Sequence, residues 1–204
     1  MRTAAVVLAA GAGSRFGGGK LRAEIDGRPI LAHVVVAART AGLDPIIVVV
    51  PPTGELDELE LGDVRRVVNP DPAEGLSSSV RLGLRAIDLD ADVSAAVILP
   101  GDQPLVRPQV ILELLAALAE PRATPFVVAR YAADGAPNPI VARRSIWRLA
   151  DELAGDRGFG PILATHPELV TMVAVAGSNP DIDTPADLAA VRASNPDGRE
   201  RAHR

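Results

Sequence analysis

Two cationic side chains, Arg15 and Lys20, lie inside one glycine-rich stretch, "AAGAGSRFGGGK", which runs from Ala9 to Lys20. Five of its residues are glycine, a density that lets backbone approach a ligand closely. Backbone N–H groups in such a loop can converge on phosphate oxygens. Arg15 adds a planar fork and Lys20 a point charge, and together they suit a triphosphate better than a neutral ligand. Counting excludes the two better-known phosphate loops. A Walker loop ending at Gly19-Lys20 needs glycine at position 14 and a hydroxyl at position 21, where the chain has Ser14 and Leu21. A dinucleotide fingerprint starting at Gly11 needs its third glycine where Phe16 stands. Taken alone, the segment also reads as a flexible turn.

Carboxylates supply the chemical counterpart. In "LPGDQP" (Leu99 to Pro104), Asp102 follows a buried apolar run. Its plain reading is a turn aspartate. Its chemical reading is a ligand for Mg2+, which keeps several waters and takes one or two protein carboxylates plus substrate phosphates. "NPDIDTPADL" offers the second carboxylate, Asp181 or Asp183, immediately before a helix-like segment. Helix capping is the competing role there. Ser77, Ser78 and Ser79 have no histidine motif beside them, so they read as helix caps or nucleotide contacts rather than a nucleophile. The chain has no cysteine, which excludes disulfides, thiolate zinc sites and thiol catalysis. His33, His166 and His203 form no ligand cluster in the sequence.

These residues need elements to position them, and strand-like and helix-like segments alternate along the chain. Continuous apolar runs at Thr3 to Ala10, Pro45 to Pro52 and Ser94 to Asp102 have strand length, and Asp63 to Pro70 is a shorter one. Apolar runs without alternation are buried on both faces, as in parallel sheets covered by helices. Pro29 to Gly42, Ser77 to Ile87 and Pro108 to Glu120 read as helices between them, with serine caps at the start of the second. "PFVVARY" and "NPIVAR" read as two strands around a loop with Asp134 and Gly135, an excursion from the main sheet. Leu169 to Gly177 is a late strand. Thr184 to Ser194 is a closing helix with Thr184 as N-cap and Pro185 at its first position. The pattern predicts a three-layer, doubly wound α/β fold with a mostly parallel sheet. No internal repeat or linker interrupts residues 1–194, so one domain is expected, with 195–204 a disordered tail. In such sheets ligands lie beyond the carboxyl ends of the strands. Three loops there carry suggestive chemistry: Gly11 to Lys20, Asn69 to Ser79, and Pro100 to Pro104.

Composition narrows the partners. Net charge is −5 and aromatic residues are 2%, which argues against a basic face for duplexes and against base-stacking platforms. No apolar run nears the roughly 20 residues of a membrane span. The apolar start reads as a strand rather than a signal peptide, because glycines stand where a cleavage site belongs. A cytoplasmic protein that binds neither nucleic acid nor membrane is expected.

Six stretches together resemble the nucleotidyltransferases of molybdenum cofactor synthesis, in the GT-A-like, Rossmann-like α/β superfamily. They are "LAAGAGSRFGGGK", "NPDPAEGLSSSVRLGL", "LPGDQPLV", "GAPNPIV", "LAGDRGFGPIL" and "DIDTPADL", in the family's order over about residues 3 to 193. "GLSSSV", "GDQP" and "GDRG" point to the cytidylyltransferase branch, and Ala10 stands where the guanylyltransferase branch more often has glycine. The resemblance implies a Mg2+-dependent reaction: a phosphate oxygen of molybdopterin attacks the α-phosphorus of CTP and pyrophosphate leaves. It implies catalytic roles for Arg15, Lys20 and Asp102, and a metal held by Asp102 and Asp183. It assigns the nucleotide to Leu8, Ala9, Ala10, Gly11, Gly13, Ser14, Asn69, Gly75 and Ser79. It assigns the acceptor to Asn138, Asp156 and Gly158, and a molybdoenzyme as a partner. Two departures fall on the acceptor side. Asn138 replaces a histidine of the family's Gly-His-Pro, and Phe159-Gly160 replaces Ala-Arg after "GDRG". Two other readings stay open: guanylyl transfer or another phosphorylated acceptor of sugar phosphate or phospholactate type, and a non-catalytic nucleotide-binding protein that delivers cofactor.

Overall fold

The apolar run near the start forms strand β1 (Arg2–Leu8), whose residues Ala4 to Val7 are completely buried. The computed structural model describes residues 2–132 and 137–194; Asp134, Gly135 and the segment 195–204 lie outside them. After β1 come a short hairpin of β2 (Glu24–Ile25) and β3 (Arg28–Pro29), helix α1 (Ile30–Thr40), and strands β4 (Ile46–Val50) and β5 (Arg65–Val68). Then follow α2 (Leu76–Asp88), β6 (Val93–Pro100), α3 (Pro108–Ala119), β7 (Phe126–Tyr131) and β8 (Ile140–Arg143). A 3₁₀ stretch (Arg144–Glu152), α4 (Gly160–Thr165), β9 (Val170–Val175) and α5 (Pro185–Ser194) complete the described chain.

Seven strands make one sheet in the order β5-β4-β1-β6-β8-β7-β9. Neighbouring pairs are parallel except those of β8, which runs against both β6 and β7. This corrects the expected excursion: β7 and β8 are strands of the main sheet. Val127, Val128, Ile140, Val141 and Ala142 are as buried as the central strands, so pairing them in the sheet removes their apolar surface from water.

Alternate residues of each central strand feed two cores. Ala5, Val7, Val48, Val97 and Leu99 face one layer with α1, α3 and α5. Ala4, Val6, Ile47, Val49 and Ile98 face the other with α2, Trp147 and α4. The sheet between two helical layers is the expected doubly wound arrangement. From β1 the chain moves outward to β4 and β5, then returns by α2 to β6 on the other side of β1. The order therefore reverses between β1 and β6, where such folds open a crevice.

Candidate active site

The loops after β1 and β6 border that crevice. Ala9 N–H donates to the Val49 carbonyl at 2.8 Å, and Gly101 N–H to the Leu8 carbonyl at 2.9 Å, so both loops start from fixed points. Leu8, Ala9 and Ala10 are buried at this start, while Gly11 and Ser14 are exposed. Past Gly11 the loop needs left-handed backbone: Gly13, Gly17, Gly18 and Gly19 have φ of 55°, 88°, 97° and 65°. Side chains rarely adopt that region. Two 3₁₀ turns, Ser14–Phe16 and Lys20–Arg22, space Arg15 and Lys20 along it.

Lys20 folds back into the crevice. Its Nζ donates to Asp102 Oδ2 at 2.7 Å and to Asp183 Oδ1 at 3.2 Å. Arg15 Nη1 reaches the other Asp183 oxygen at 2.9 Å. Residues from three distant parts of the chain thus form one charged cluster. Burial works against the Lys20 ammonium, but Asp102 and Asp183 outweigh it and raise its pKa above the ordinary value. Lys20 is 11% exposed and Arg15 77%. Arg15 therefore gains little from its pair and is free to exchange it for another anion.

Asp181 and Asp183 have different surroundings. Asp181 Oδ1 accepts from Gln103 Nε2 at 2.7 Å, and burial pushes its carboxyl above the usual range, with Asp102 and Asp183 adding to the effect. Asp183 faces Lys20 beside Asp102. The cap of α5 comes from Thr184 and Asp187 instead: Asp187 Oδ2 accepts from the Thr184 N–H at 2.7 Å, and Asp187 N–H donates to Thr184 Oγ1 at 3.2 Å. This reciprocal capping box leaves the Asp183 side chain free for the crevice. Among the described residues no group of three or more metal-ligating side chains gathers. Two carboxylates on one ammonium fit a hard cation that completes its shell with water and phosphate oxygens.

The remaining candidates form a second group at the same sheet edge. Gly75 is the N-cap of α2, with φ of 91°. A Cβ there would lie 2.5 Å from the Gly155 carbonyl carbon and 2.6 Å from Asp156 Oδ1. A Cβ on Gly158 would lie 3.2 Å from Leu76 Cδ2. Asp156 and Gly158 are thereby packed against the start of α2. Asn138 precedes β8, which begins at this edge.

Two of the candidates, Asn69 and Ser79, have side-chain partners close by. Asn69 is 1% exposed, and its Nδ2 donates to Ser78 Oγ at 2.8 Å and Ser79 Oγ at 3.0 Å. Its Oδ1 accepts from the Asp71 N–H at 3.1 Å. The Asn69 and Ser79 side chains are hydrogen-bonded to each other and help to shape the loop. The serines also lie within the first turn of α2 instead of capping it, since the cap position is Gly75. Gln103 and Asn179 were given no role by the sequence, yet both are buried and hydrogen-bonded together beside the cluster. A neutral amide carries no spacing signal, so only contacts reveal them. An open groove of about 320 Å³ beside Arg28, Val36, Arg39 and Glu60 is lined by none of these residues.

A mostly parallel three-layer sheet with a cationic glycine loop facing two carboxylates at its switch point defines a nucleotide-handling α/β protein. The chain matches the MobA-like NTP transferase domain over residues 5–170 and belongs to that family. The 2-C-methyl-D-erythritol 4-phosphate cytidylyltransferase of Cereibacter sphaeroides is 36% identical over 133 residues, 62% of this chain and 59% of that protein. The 3-deoxy-manno-octulosonate cytidylyltransferase of Paramagnetospirillum magneticum is 34% identical over 104 residues, 50% of this chain and 42% of that protein. The chain thus spans about three fifths or less of these curated relatives' length. Rv0371c of Mycobacterium tuberculosis, solved as a complex with manganese, superposes with a TM-score of 0.78 at 27% identity, covering 95% of this chain and all of that one (100%).

Proposed function

We propose that this protein is a divalent-metal-dependent nucleotidyltransferase, moving CMP from CTP to a phosphorylated acceptor with release of pyrophosphate. The observation that carries this reading is the Lys20 ammonium bound to both Asp102 and Asp183 at the end of the glycine loop. Lysine holds the two carboxylates together against their mutual repulsion. A triphosphate offers Lys20 and Arg15 a competing anion, and it releases the carboxylates to a cation. Mg2+ is the metal proposed, and when bound it would spread negative charge developing on the phosphate oxygens. The acceptor's phosphate oxygen attacks the α-phosphorus, and the bond from that phosphorus to the bridging oxygen breaks. Arg15 and Lys20 stabilise the departing pyrophosphate, and the loop's backbone N–H groups orient the chain of phosphates. Residues 1–194 act as a single transferase domain in this reading, in the cytoplasm.

Molybdopterin is the acceptor proposed from the motif resemblance, with a molybdoenzyme as downstream partner. A second reading has its own support: the curated relatives include cytidylyltransferases named for a methylerythritol phosphate. A polyol or sugar phosphate is therefore the alternative, and Asn138, Asp156 and Gly158 would meet either one. Asn138 can hydrogen-bond a polar acceptor but brings no charge. Pyrophosphate release with CTP or GTP, against molybdopterin or 2-C-methyl-D-erythritol 4-phosphate, separates the readings. Release from CTP with molybdopterin alone is the expected result. Release only with the polyol phosphate moves the assignment to the second reading. No release with any pair, with Mg2+ or Mn2+ present, removes the transferase reading.

A further inference from the structure

We propose that Gln103, backed by Asn179, is a positioning residue that fixes Asp183 beside Asp102 for a divalent cation; the inference rests on the nucleotidyltransferase reading above. Gln103 is 3% exposed and Asn179 8%. Burying an amide is costly unless its groups are paired. Gln103 Nε2 donates to Asp181 Oδ1 at 2.7 Å, and Gln103 Oε1 accepts from Asn179 Nδ2 at 3.1 Å. An ionised carboxylate only accepts hydrogen bonds, so Asp181 dictates which end of the Gln103 amide faces it. That choice in turn orients Asn179. The arrangement leaves Asn179 Oδ1 buried with no partner among the described residues. A buried acceptor in that state has more than one physical explanation, an ordered water among them, so a role for the pair has to come from where it sits.

The placement supplies one. Gln103 directly follows Asp102, and Asp181 stands two residues before Asp183. Between them, Ile182 N–H donates to the Asp102 carbonyl at 3.0 Å, and the Ile182 side chain is fully buried. Two adjacent rungs, Asp102 with Ile182 and Gln103 with Asp181, join the loop after β6 to the segment before α5. Asp183 directly follows Ile182 of the first rung and so stands beside Asp102, the Gln103 rung bracing the residue before Ile182, and both carboxylates meet one ammonium. Without the side-chain rung, the segment from Val175 to Pro185 keeps the Ile182 N–H bond to the Asp102 carbonyl and the Arg107 bond to the Ala176 carbonyl among its described contacts there. Asp183 could then follow Arg15 away from the crevice. Partners that orient the carboxylates around a metal typically change affinity by about 10- to 100-fold when removed.

The test uses the full chain and Mn2+ as probe, with free Mn2+ followed by electron paramagnetic resonance in the presence of CTP. Gln103→Met keeps the side chain's length and removes both hydrogen bonds. It should weaken Mn2+ binding by about 10- to 100-fold. CTP binding without metal should stay as in the wild type, and excess Mn2+ should restore turnover. Unchanged Mn2+ affinity in a folded Gln103→Met protein overturns the proposal. Asn179→Leu removes the orphaned acceptor together with the bond that orients Gln103. It should weaken Mn2+ binding in the same direction by less, and it decides the matter if Gln103→Met does not fold. A melting-temperature change with wild-type Mn2+ affinity in Asn179→Leu would make the pair merely structural. Wild-type protein that binds no Mn2+ with CTP would overturn the transferase reading itself, whereas wild-type binding matched by both variants overturns this inference alone.

Discussion

At the scale of single residues, the reading turns on Lys20 and Asp102. Lys20 is held charged by two carboxylates, so its removal has two consequences: the triphosphate loses a donor, and Asp102 faces Asp183 with no cation between them. Lys20→Ala should therefore lower kcat/KM by about 10²-fold or more, the loss seen when one transition-state donor is deleted. Steady-state pyrophosphate release measures it, and near-wild-type kinetics would return the loop to a flexible turn. Asp102→Asn keeps the shape of the side chain and removes its charge. It should abolish turnover while leaving the circular dichroism spectrum and cooperative melting intact. Unchanged turnover would remove Asp102 from the site. Lys20 and Asp102 stand out in the sequence as candidates because a charged side chain in a glycine or proline turn has few structural duties, and the structure brings the two together. Asn69 and Ser79 do carry structural duties. They stand where β5 leads into α2, and their side chains bond each other. Gln103 was hidden because its partners, Asp181 and Asn179, lie more than 70 residues away, at separations of 78 and 76.

At the scale of elements, helix ends and loop contacts decide how the site is held. The α5 cap depends on the Asp187 carboxylate, whose pKa is lowered first by the Thr184 side chain and then by the Thr184 and Asp183 backbone. A carboxyl with a depressed folded-state pKa stabilises the fold at pH values above its unfolded pKa. That contribution disappears as pH falls through the lower folded value. Asp187→Ala should thus lower the urea midpoint at pH 6, and the difference from wild type should shrink as pH drops below about 4. A difference that is the same at pH 6 and pH 3 would mean the cap does not work through the charged carboxylate. The contact of Gly75 with Gly155 makes a second prediction. Gly75→Ala forces a Cβ onto backbone and into a left-handed φ, so it should destabilise by about 1–3 kcal/mol and push the Gly155–Gly158 segment outward. Equilibrium unfolding measures the first effect, and a wild-type midpoint would show that the two loops do not pack as described. The major strands and helices α1, α2, α3 and α5 were readable from apolar runs, Pro and Gly. The β8 direction was not, because antiparallel and parallel strands of four residues share one pattern. Arg144–Glu152 was legible but not assigned: Ile146, Trp147, Leu149 and Ala150 recur at helical spacing and pack on the core, in a stretch too short to stand out beside the longer helices. The β2–β3 hairpin was missed because two-residue strands carry no alternation, although Asp26-Gly27 is a common turn pair.

At the scale of the whole molecule, the site exists only when β1 and β6 lie side by side and bring Lys20, Asp102 and Asp183 together across more than 160 residues, Lys20 and Asp183 being 163 apart. The unfolded chain has no equivalent place for a nucleotide. A ligand of that site must therefore stabilise the fold by RT ln(1 + [L]/Kd), about 2.7 kcal/mol at a hundredfold excess over Kd. For a chain of this size each 1 kcal/mol moves the melting temperature by about 2–4 °C, so saturating nucleotide should raise it by about 5–10 °C. The negative net charge of −5 disfavours the anionic ligand at long range, which makes the shift depend on Arg15, Lys20 and the metal rather than on general attraction. The expected order with Mg2+ present is CTP above GTP, as the proposed cytidylyl transfer requires. Lys20→Ala should reduce the CTP shift, and Mg2+ withdrawal should reduce it further through Asp102 and Asp183. Equal shifts by CTP and GTP would remove the cytidylyl preference and leave the triphosphate site standing. No shift by either nucleotide, with Mg2+ at millimolar concentration, would take the triphosphate away from the glycine loop altogether.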